Sequence, residues 1–386
     1  MSRPTVFVTF GTRPEAIKMA PVVLELERRD AFRVVTCLTG QHREMLDQVI
    51  ETFGLPVDHD LKIMRERQTL NHITSAVLTG IDPLLQETEP DLVMVHGDTT
   101  TTFAAALAAF YRTIPVAHVE AGLRTSNVYS PYPEEMNRRL ADRLTEVFYA
   151  PTPAAQTALL GEGVDPQSIL VTGNTVIDAL LATSETTPPD WEPAVAEALV
   201  RPGGKVLVTV HRRESWGAPM ERVAAAIKDV CDRLPDTTFI FPIHLNPIVR
   251  KTFQGALGDL PQVVFTEPLS YKPFVHLMKT VDVVITDSGG IQEEAPTLGK
   301  PVLVMRDTTE RPEGIDAGTA RLVGTDEDAI ARELILLLTD RQAYENMANA
   351  INPYGDGMAA VRIADHLEHR FGFRLQAPRA FSLQPE

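Results

Sequence analysis

VDVVITDSGGIQEEAPTLGKPVLVMRDTTER, Val281 to Arg311, is the stretch whose reading decides the fold. Val281 to Thr286 is rich in β-branched side chains and predicts a strand; Asp287 and a Ser-Gly-Gly turn follow, then a short helix signal and a second strand from Lys300 to Met305. Strand, loop and helix in that order are the repeating unit of a parallel α/β sheet. Ser288, Gly289 and Gly290 fall where the helix begins. Glycine lets a backbone approach a ligand closely, and the first N–H groups of a helix lack partners within it, so the unit reads as a phosphate cradle. An ordinary βα turn shares those features, so two additions matter. Glu293 and Glu294, one turn inside the helix, suit the hydroxyls of a ribose better than a phosphate. Arg311 closes the unit.

Working outward, short apolar runs alternate with helical patterns on both sides of this unit. Strands are expected at Thr5 to Phe10, Arg33 to Leu38, Leu92 to His96, Pro115 to Val119 and Ile169 to Thr172, and again at Val206 to Val210, Thr238 to Phe241, Val263 to Phe265 and Arg321 to Val323. The pattern predicts an α/β protein of two Rossmann-like domains, each with a parallel sheet, facing a central cleft. The boundary is expected near Thr172, giving domains 1–172 and 173–357. SETTPPDWEP, Ser184 to Pro193, reads as a linker or a surface excursion.

The chain of 386 residues, 44% hydrophobic, suffices for two cores. No apolar run approaches the length of a membrane span and no basic, apolar leader precedes Thr5, so cytoplasmic residence and no membrane partner are expected. Cys37 and Cys231 are read as buried thiols, without the spacing of a disulfide framework or metal site. A formal charge of -16 argues against nucleic acid and means that an anionic ligand needs cations placed locally. Two decoys are set aside. Asp58-His59-Asp60 and Asp326-Glu327-Asp328 imitate an Asp-x-Asp metal site but are read as solvated loops, and Gly355 to Ala360 imitates a dinucleotide fingerprint with no strand before it. No metal and no cofactor are expected.

Candidate residues cluster at strand ends, where an open parallel sheet places its ligands. GTRPE, Gly11 to Glu15, follows the first strand and offers Arg13, with Lys18 one turn into the next helix. Asp98 and Glu120 follow two further strands. Glu134 and Glu135 open a helix after YSPYP, where helix-dipole complementarity alone would also favour acids. Three acids converging would raise one another's pKa values and keep a carboxyl protonated for donation. His211 follows KVLVTV and precedes Arg212 and Arg213, which favours an anion contact. Phe274 is open to two readings, a base-stacking aromatic or a core position of an amphipathic helix.

The cradle, together with GTRPE, HGDTTTT at 96–102, HVEAGLRT at 118–125, PEEMNR at 133–138 and HRRES at 211–215, resembles the non-hydrolysing UDP-N-acetylglucosamine 2-epimerases over nearly the whole chain, with motifs in family order. Leu269 departs from the family, which commonly has glutamine there. The resemblance implies a GT-B-like fold whose final helix, Met358 to Phe371, crosses back to the first domain. It also implies a reaction: epimerisation at carbon 2 of UDP-N-acetylglucosamine to UDP-N-acetylmannosamine, serving cell-surface polysaccharide biosynthesis. Asp98, Glu120, Glu134 and His211 would be catalytic, with His211 supporting the diphosphate. Arg13, Lys18, Phe274, Ser288, Gly289, Gly290, Glu294 and Arg311 would bind UDP, Glu294 taking the ribose. A second, activating UDP-N-acetylglucosamine would be held by Gln41, Arg67, Arg212 and His244. The resemblance further implies a homodimer.

Removing the proton on carbon 2 needs activation, because no ring carbonyl is adjacent. Transient oxidation by NAD lacks its fingerprint here, so elimination of UDP to a glycal is favoured. A hydrolysing epimerase, a GT-B-type glycosyltransferase and a nucleotide-sugar-binding regulator are the competing readings; turnover would exclude the last.

Overall fold

The computed structural model describes residues 3–40, 43–65, 68–125 and 127–383, without the side chains of residues 43–45 and 214. The chain forms two compact units, one of residues 1–179 with 354–386, the other of residues 180–353.

The first unit contains β1 (Thr5–Phe10), β2 (Arg33–Leu38), β3 (His59–Asp60), β4 (Leu92–His96), β5 (Val116–Val119), β6 (Val147–Ala150) and β7 (Ile169–Val171) in the order β3-β2-β1-β4-β5-β6-β7. All pairings are parallel. Helices cover both faces, so central strands are buried throughout and carry no polar alternation; every residue of β1 is buried. The second unit contains β8 (Lys205–Thr209), β9 (Thr238–Pro242), β10 (Val263–Thr266), β11 (Val283–Thr286), β12 (Val302–Val304) and β13 (Ala320–Leu322), ordered β10-β9-β8-β11-β12-β13 and again parallel. In each sheet the strand order reverses once, at β1/β4 and at β8/β11. Loops leaving such a pair diverge, which opens a crevice for ligands at the strands' carboxyl ends.

Two strands escape the sequence reading. VFYA is a run of only four residues, closely following a helix, and His59–Asp60 is a two-residue edge strand paired with Cys37 and Leu38. Thus 58–60 is not wholly the solvated loop expected, and Asp58 accepts from the Thr36 N–H at 2.7 Å. Likewise Asp326 is no loop residue. It caps the helix Glu327–Thr339, accepting from the Ala329 N–H at 2.9 Å. The stretch 184–193 is a surface excursion tied to the second unit: Lys279 Nζ donates to the Ser184 carbonyl at 2.8 Å and Thr186 Oγ1 meets His276 Nε2 at 3.1 Å.

The division between units falls after Ala179 rather than at Thr172, and the reason is local. Asp178, in the helix Thr175–Ser184, accepts from the N–H groups of Ala359 and Ala360 at 3.3 and 2.8 Å, capping the helix Ala359–Arg370. That last helix belongs to the first unit. Arg29 reaches its Asp365 and Glu368 at 2.5 and 2.9 Å. No helix among the described residues is long and apolar enough to cross a membrane.

Candidate active site

In the first unit the loops after β1 and β4 are locked together by one buried carboxylate. Glu15 accepts from the N–H groups of Gly11 and Thr12 at 3.1 and 2.8 Å, and from the hydroxyls of Thr99 and Thr102 at 2.7 and 3.2 Å. Burial pushes its pKa up against those hydrogen bonds. Gly11 cannot be replaced cheaply here, because a Cβ would lie 2.1 Å from Thr39 Oγ1. The same packing sets Arg13 and Lys18 in the helix Arg13–Arg28 directly after the switch point.

The three acids lie in this unit, each with different company. Asp98 is half-buried and ion-paired with Arg138, while its carbonyl accepts from Asn137 Nδ2 at 3.1 Å. Glu120 is buried at 7% exposure, ion-paired with Lys18, and accepts from Asn174 Nδ2 at 2.9 Å. It holds a left-handed φ of 63°, uncommon outside glycine and a mark of functional positions. Glu134, at the start of the helix Glu134–Leu144, is raised above its usual value, first by burial and further by the charge of Asp98. Asp98 and Glu120 each face a cation, and the charge of Asp98 adds to the raising of Glu134. Neighbouring His96 is buried beside Glu120, its Nε2 3.9 Å away, and burial pushes it down to about 3, so the ring is neutral.

The second unit presents the cradle. Ser288, Gly289 and Gly290 are not a turn before the helix but its cap and first residues, in Gly289–Thr297. The Ser288 side chain makes no capping bond. Cβ atoms at Gly289 and Gly290 would meet only ordinary contacts, at 3.6 Å or more, so the protein itself does not demand glycine there. The bareness of this helix start suits something arriving from outside. Arg212 is at hand: its guanidinium is the atom 3.6 Å from that position at Gly289, and it lies 3.6 Å from Glu310. Glu310 in turn meets Arg306 at 3.1 Å; burial raises it, but Arg306 and Arg212 outweigh this and hold it low.

His211 and Asp287 follow β8 and β11, the strands that flank the switch point. Asp287 is fully buried and accepts from the backbone N–H groups of His211 and Arg212 at 3.0 and 2.9 Å, with His211 Nδ1 at 2.9 Å. Burial alone would raise Asp287, but these bonds win and its pKa is lowered. The His211 ring is thereby oriented with its outer nitrogen free to face a ligand, its side chain 44% exposed. Among the other expected contacts, Glu294 is buried, accepts from the Tyr271 hydroxyl at 3.2 Å and reaches back over Gly290. Glu293 is ion-paired with Arg311, which ties down a cation expected at the phosphate. Phe274 is half-buried, while its helix neighbours Val275, Leu277 and Met278 form the core side. His244 places its ring 6.3 Å from that of His211. Partial burial and the neighbouring His211 lower it. Gln41 and Arg67 lie outside the described residues.

Sequence reasoning assigned no role to the supporting residues Arg138, Asn174, His96, His118, Asp142 and Tyr271. Of these, His96, His118 and Arg138 lie inside the motifs HGDTTTT, HVEAGLRT and PEEMNR, which could have flagged them.

Residues 24–368 match the model of the UDP-N-acetylglucosamine 2-epimerase family. The UDP-N-acetylglucosamine 2-epimerase of Bacillus subtilis is 49% identical over 382 residues, 99% of this chain and 100% of that protein. The crystal structure of the Neisseria meningitidis UDP-GlcNAc 2-epimerase bound to UDP-GlcNAc superposes with a TM-score of 0.84 at 46% identity, covering 94% of this chain and 99% of that one. A glycotransferase of kitacinnamycin, 17% identical with a TM-score of 0.65 over 96% of this chain and 100% of that one, shares the GT-B-like fold alone. The chain belongs to the UDP-N-acetylglucosamine 2-epimerase family, in its bacterial, non-hydrolysing type.

Proposed function

We propose that this chain interconverts UDP-N-acetylglucosamine and UDP-N-acetylmannosamine by eliminating UDP to a glycal and adding it back after the proton on carbon 2 has returned on the opposite face. Besides family membership, the buried Asp287 holding His211 beside a bare helix start carries this reading, because elimination requires a stabilised diphosphate leaving group. The second unit takes UDP: the N–H groups of Gly289 and Gly290 and the side chains of Arg212 and His211 face the phosphates, Glu294 takes the ribose hydroxyls, and Phe274 takes the base.

The first unit works on the sugar. The carbon 2 proton goes to a carboxylate as the bond from carbon 1 to the phosphate oxygen breaks, leaving a double bond between carbons 1 and 2. Glu134, raised by burial, suits the donating acid; Asp98 and Glu120, each beside a cation, suit proton removal and sugar positioning. Stabilisation of roughly 8 kcal/mol marks the modest end of enzymes. Charge-assisted hydrogen bonds contribute about 1.5–3 kcal/mol each, so His211, Arg212 and a helix terminus together supply roughly 3–8 kcal/mol.

Incubation with UDP-N-acetylglucosamine in deuterated water, followed by proton NMR, tests the reading. The epimer is expected with deuterium at carbon 2, and the recovered substrate should also gain label. Retention of the original hydrogen, or free N-acetylmannosamine as the main product, would overturn it.

The same reading includes a cytoplasmic homodimer and activation by a second UDP-N-acetylglucosamine. Of its proposed contacts, Arg212 and His244 stand beside His211. An activator that binds the working conformation better than the resting one shifts the population in proportion to that difference.

A further inference from the structure

We propose that His118 is a buried imidazolium that positions Asp98 relative to Glu120, by clamping the Gly97 peptide before the one to the strand that leads into the other. The inference rests on Asp98 and Glu120 being working acids. His118 lies in β5, two residues before Glu120, and is wholly buried. Its Nδ1 is 2.6 Å from Asp142 Oδ1 and its Nε2 is 2.7 Å from the Gly97 carbonyl oxygen.

Both neighbours are acceptors. A carbonyl oxygen has no proton to give, and an ionised carboxylate has none either. A neutral imidazole carries one N–H and would turn its lone pair against one of these oxygens at hydrogen-bonding distance. The pair therefore holds one proton more than a neutral ring beside a carboxylate. That proton belongs on the ring, because the other oxygen of Asp142 accepts from Arg124 Nη2 at 2.6 Å, and the guanidinium favours the carboxylate form. Glu162 fixes Arg124 in place, accepting from its Nε at 2.7 Å.

The clamp acts where the backbone is least constrained. Gly97 has a φ of 69°, and glycine moves among conformations more freely than any other residue. Its N–H donates to the Val119 carbonyl at 2.9 Å, so with His118 on its carbonyl the whole residue is held from β5. A cationic donor makes that second bond roughly twice as strong as a neutral one. His118 touches no reacting atom in this reading; it is a positioning residue.

The test uses the full-length protein labelled with ¹⁵N in its histidine rings, observed at neutral pH. One buried histidine should show protons on both ring nitrogens. Its signal is assigned by loss in His118→Gln or, should that variant not fold, by its shift in Asp142→Asn, which should turn the ring neutral. Turnover in the variants should fall about 10- to 150-fold, the span of one charge-assisted bond, with KM and UDP affinity within about threefold of the parent. A neutral His118 in the parent, or Asp142→Asn with parental turnover, would overturn the clamp. Parental turnover in Asp98→Asn would instead remove the role of Asp98 and leave the ring signature standing, so the two failures are distinguishable.

Discussion

Replacing Asp287 by asparagine isolates what a buried carboxylate does for His211. Asp287 accepts two backbone N–H groups, at 3.0 and 2.9 Å, and faces His211 Nδ1 at 2.9 Å. An asparagine satisfies the backbone through its one oxygen, and its NH2 then faces Nδ1. The ring proton is forced to the outer nitrogen, and Nδ1 loses its carboxylate partner. A hydrogen bond to a charged group contributes about 1.5–3 kcal/mol. At about 1.36 kcal/mol per tenfold, turnover should fall about 10- to 150-fold. UDP affinity should change less than about threefold, because the outer N–H still donates to a phosphate. Initial rates by proton NMR and UDP titration calorimetry measure the two quantities separately. The double variant Asp287→Asn with His211→Asn should be no slower than His211→Asn alone, since Asp287 acts through the ring. Parental turnover in Asp287→Asn, or losses that add in the double variant, would refute the reasoning.

Glu134→Gln should abolish the fall in turnover at high pH, because the donating form of a raised carboxyl is lost as pH rises through its folded pKa; an unchanged pH profile would assign that limb to another group. Asp178 is raised by burial from 3.8 to about 6, so its contribution to stability is present below pH 3.8 and is lost as pH rises through about 6. The difference is about 3 kcal/mol, and Asp178→Asn should remove that slope from urea unfolding measured across the window. His366, pushed by burial from 6.5 down to about 4, acts oppositely, losing stability as pH falls from 6.5 towards 4, so only the difference between variant and parent is informative. With UDP-N-acetylmannosamine alone the reaction should start slowly and accelerate when traces of UDP-N-acetylglucosamine are added; a full initial rate, unaltered in Gln41→Ala and Arg67→Ala, would remove the activator site.

The alternation of strand and helix was legible because apolar runs such as TVFVTF must be buried on both faces, and local sequence carries that demand. VFYA and His59–Asp60 were not, since too few residues separate a short strand from any apolar or edge segment. The site divides similarly. Asp98, Glu120, Glu134 and His211 each sit in a local motif. Their pairings do not show in the sequence: Asn174 lies 54 residues from Glu120 and Asp287 lies 76 from His211, and nothing local to either says that they meet. The counter-ions of the acids were hidden for the same reason, because Arg138 and Lys18 pair with Asp98 and Glu120 only once helices pack on the sheet.

The chain leaves its first unit after Ala179 and returns at Tyr354, so the second unit is one uninterrupted stretch while the first is completed from both ends. During synthesis the second unit is therefore finished while the first still lacks its last helix. Domains that fold as units would then do so out of chain order, the later-made one first. Until Ala359–Arg370 emerges, Arg29 has neither Asp365 nor Glu368, and Asp178 has no helix to cap. A chaperone that shields nascent chains would have to hold the acid-bearing half longest, and a nonsense codon even close to the 3′ end of the coding sequence would deprive the sheet at the amino terminus of its closing helix.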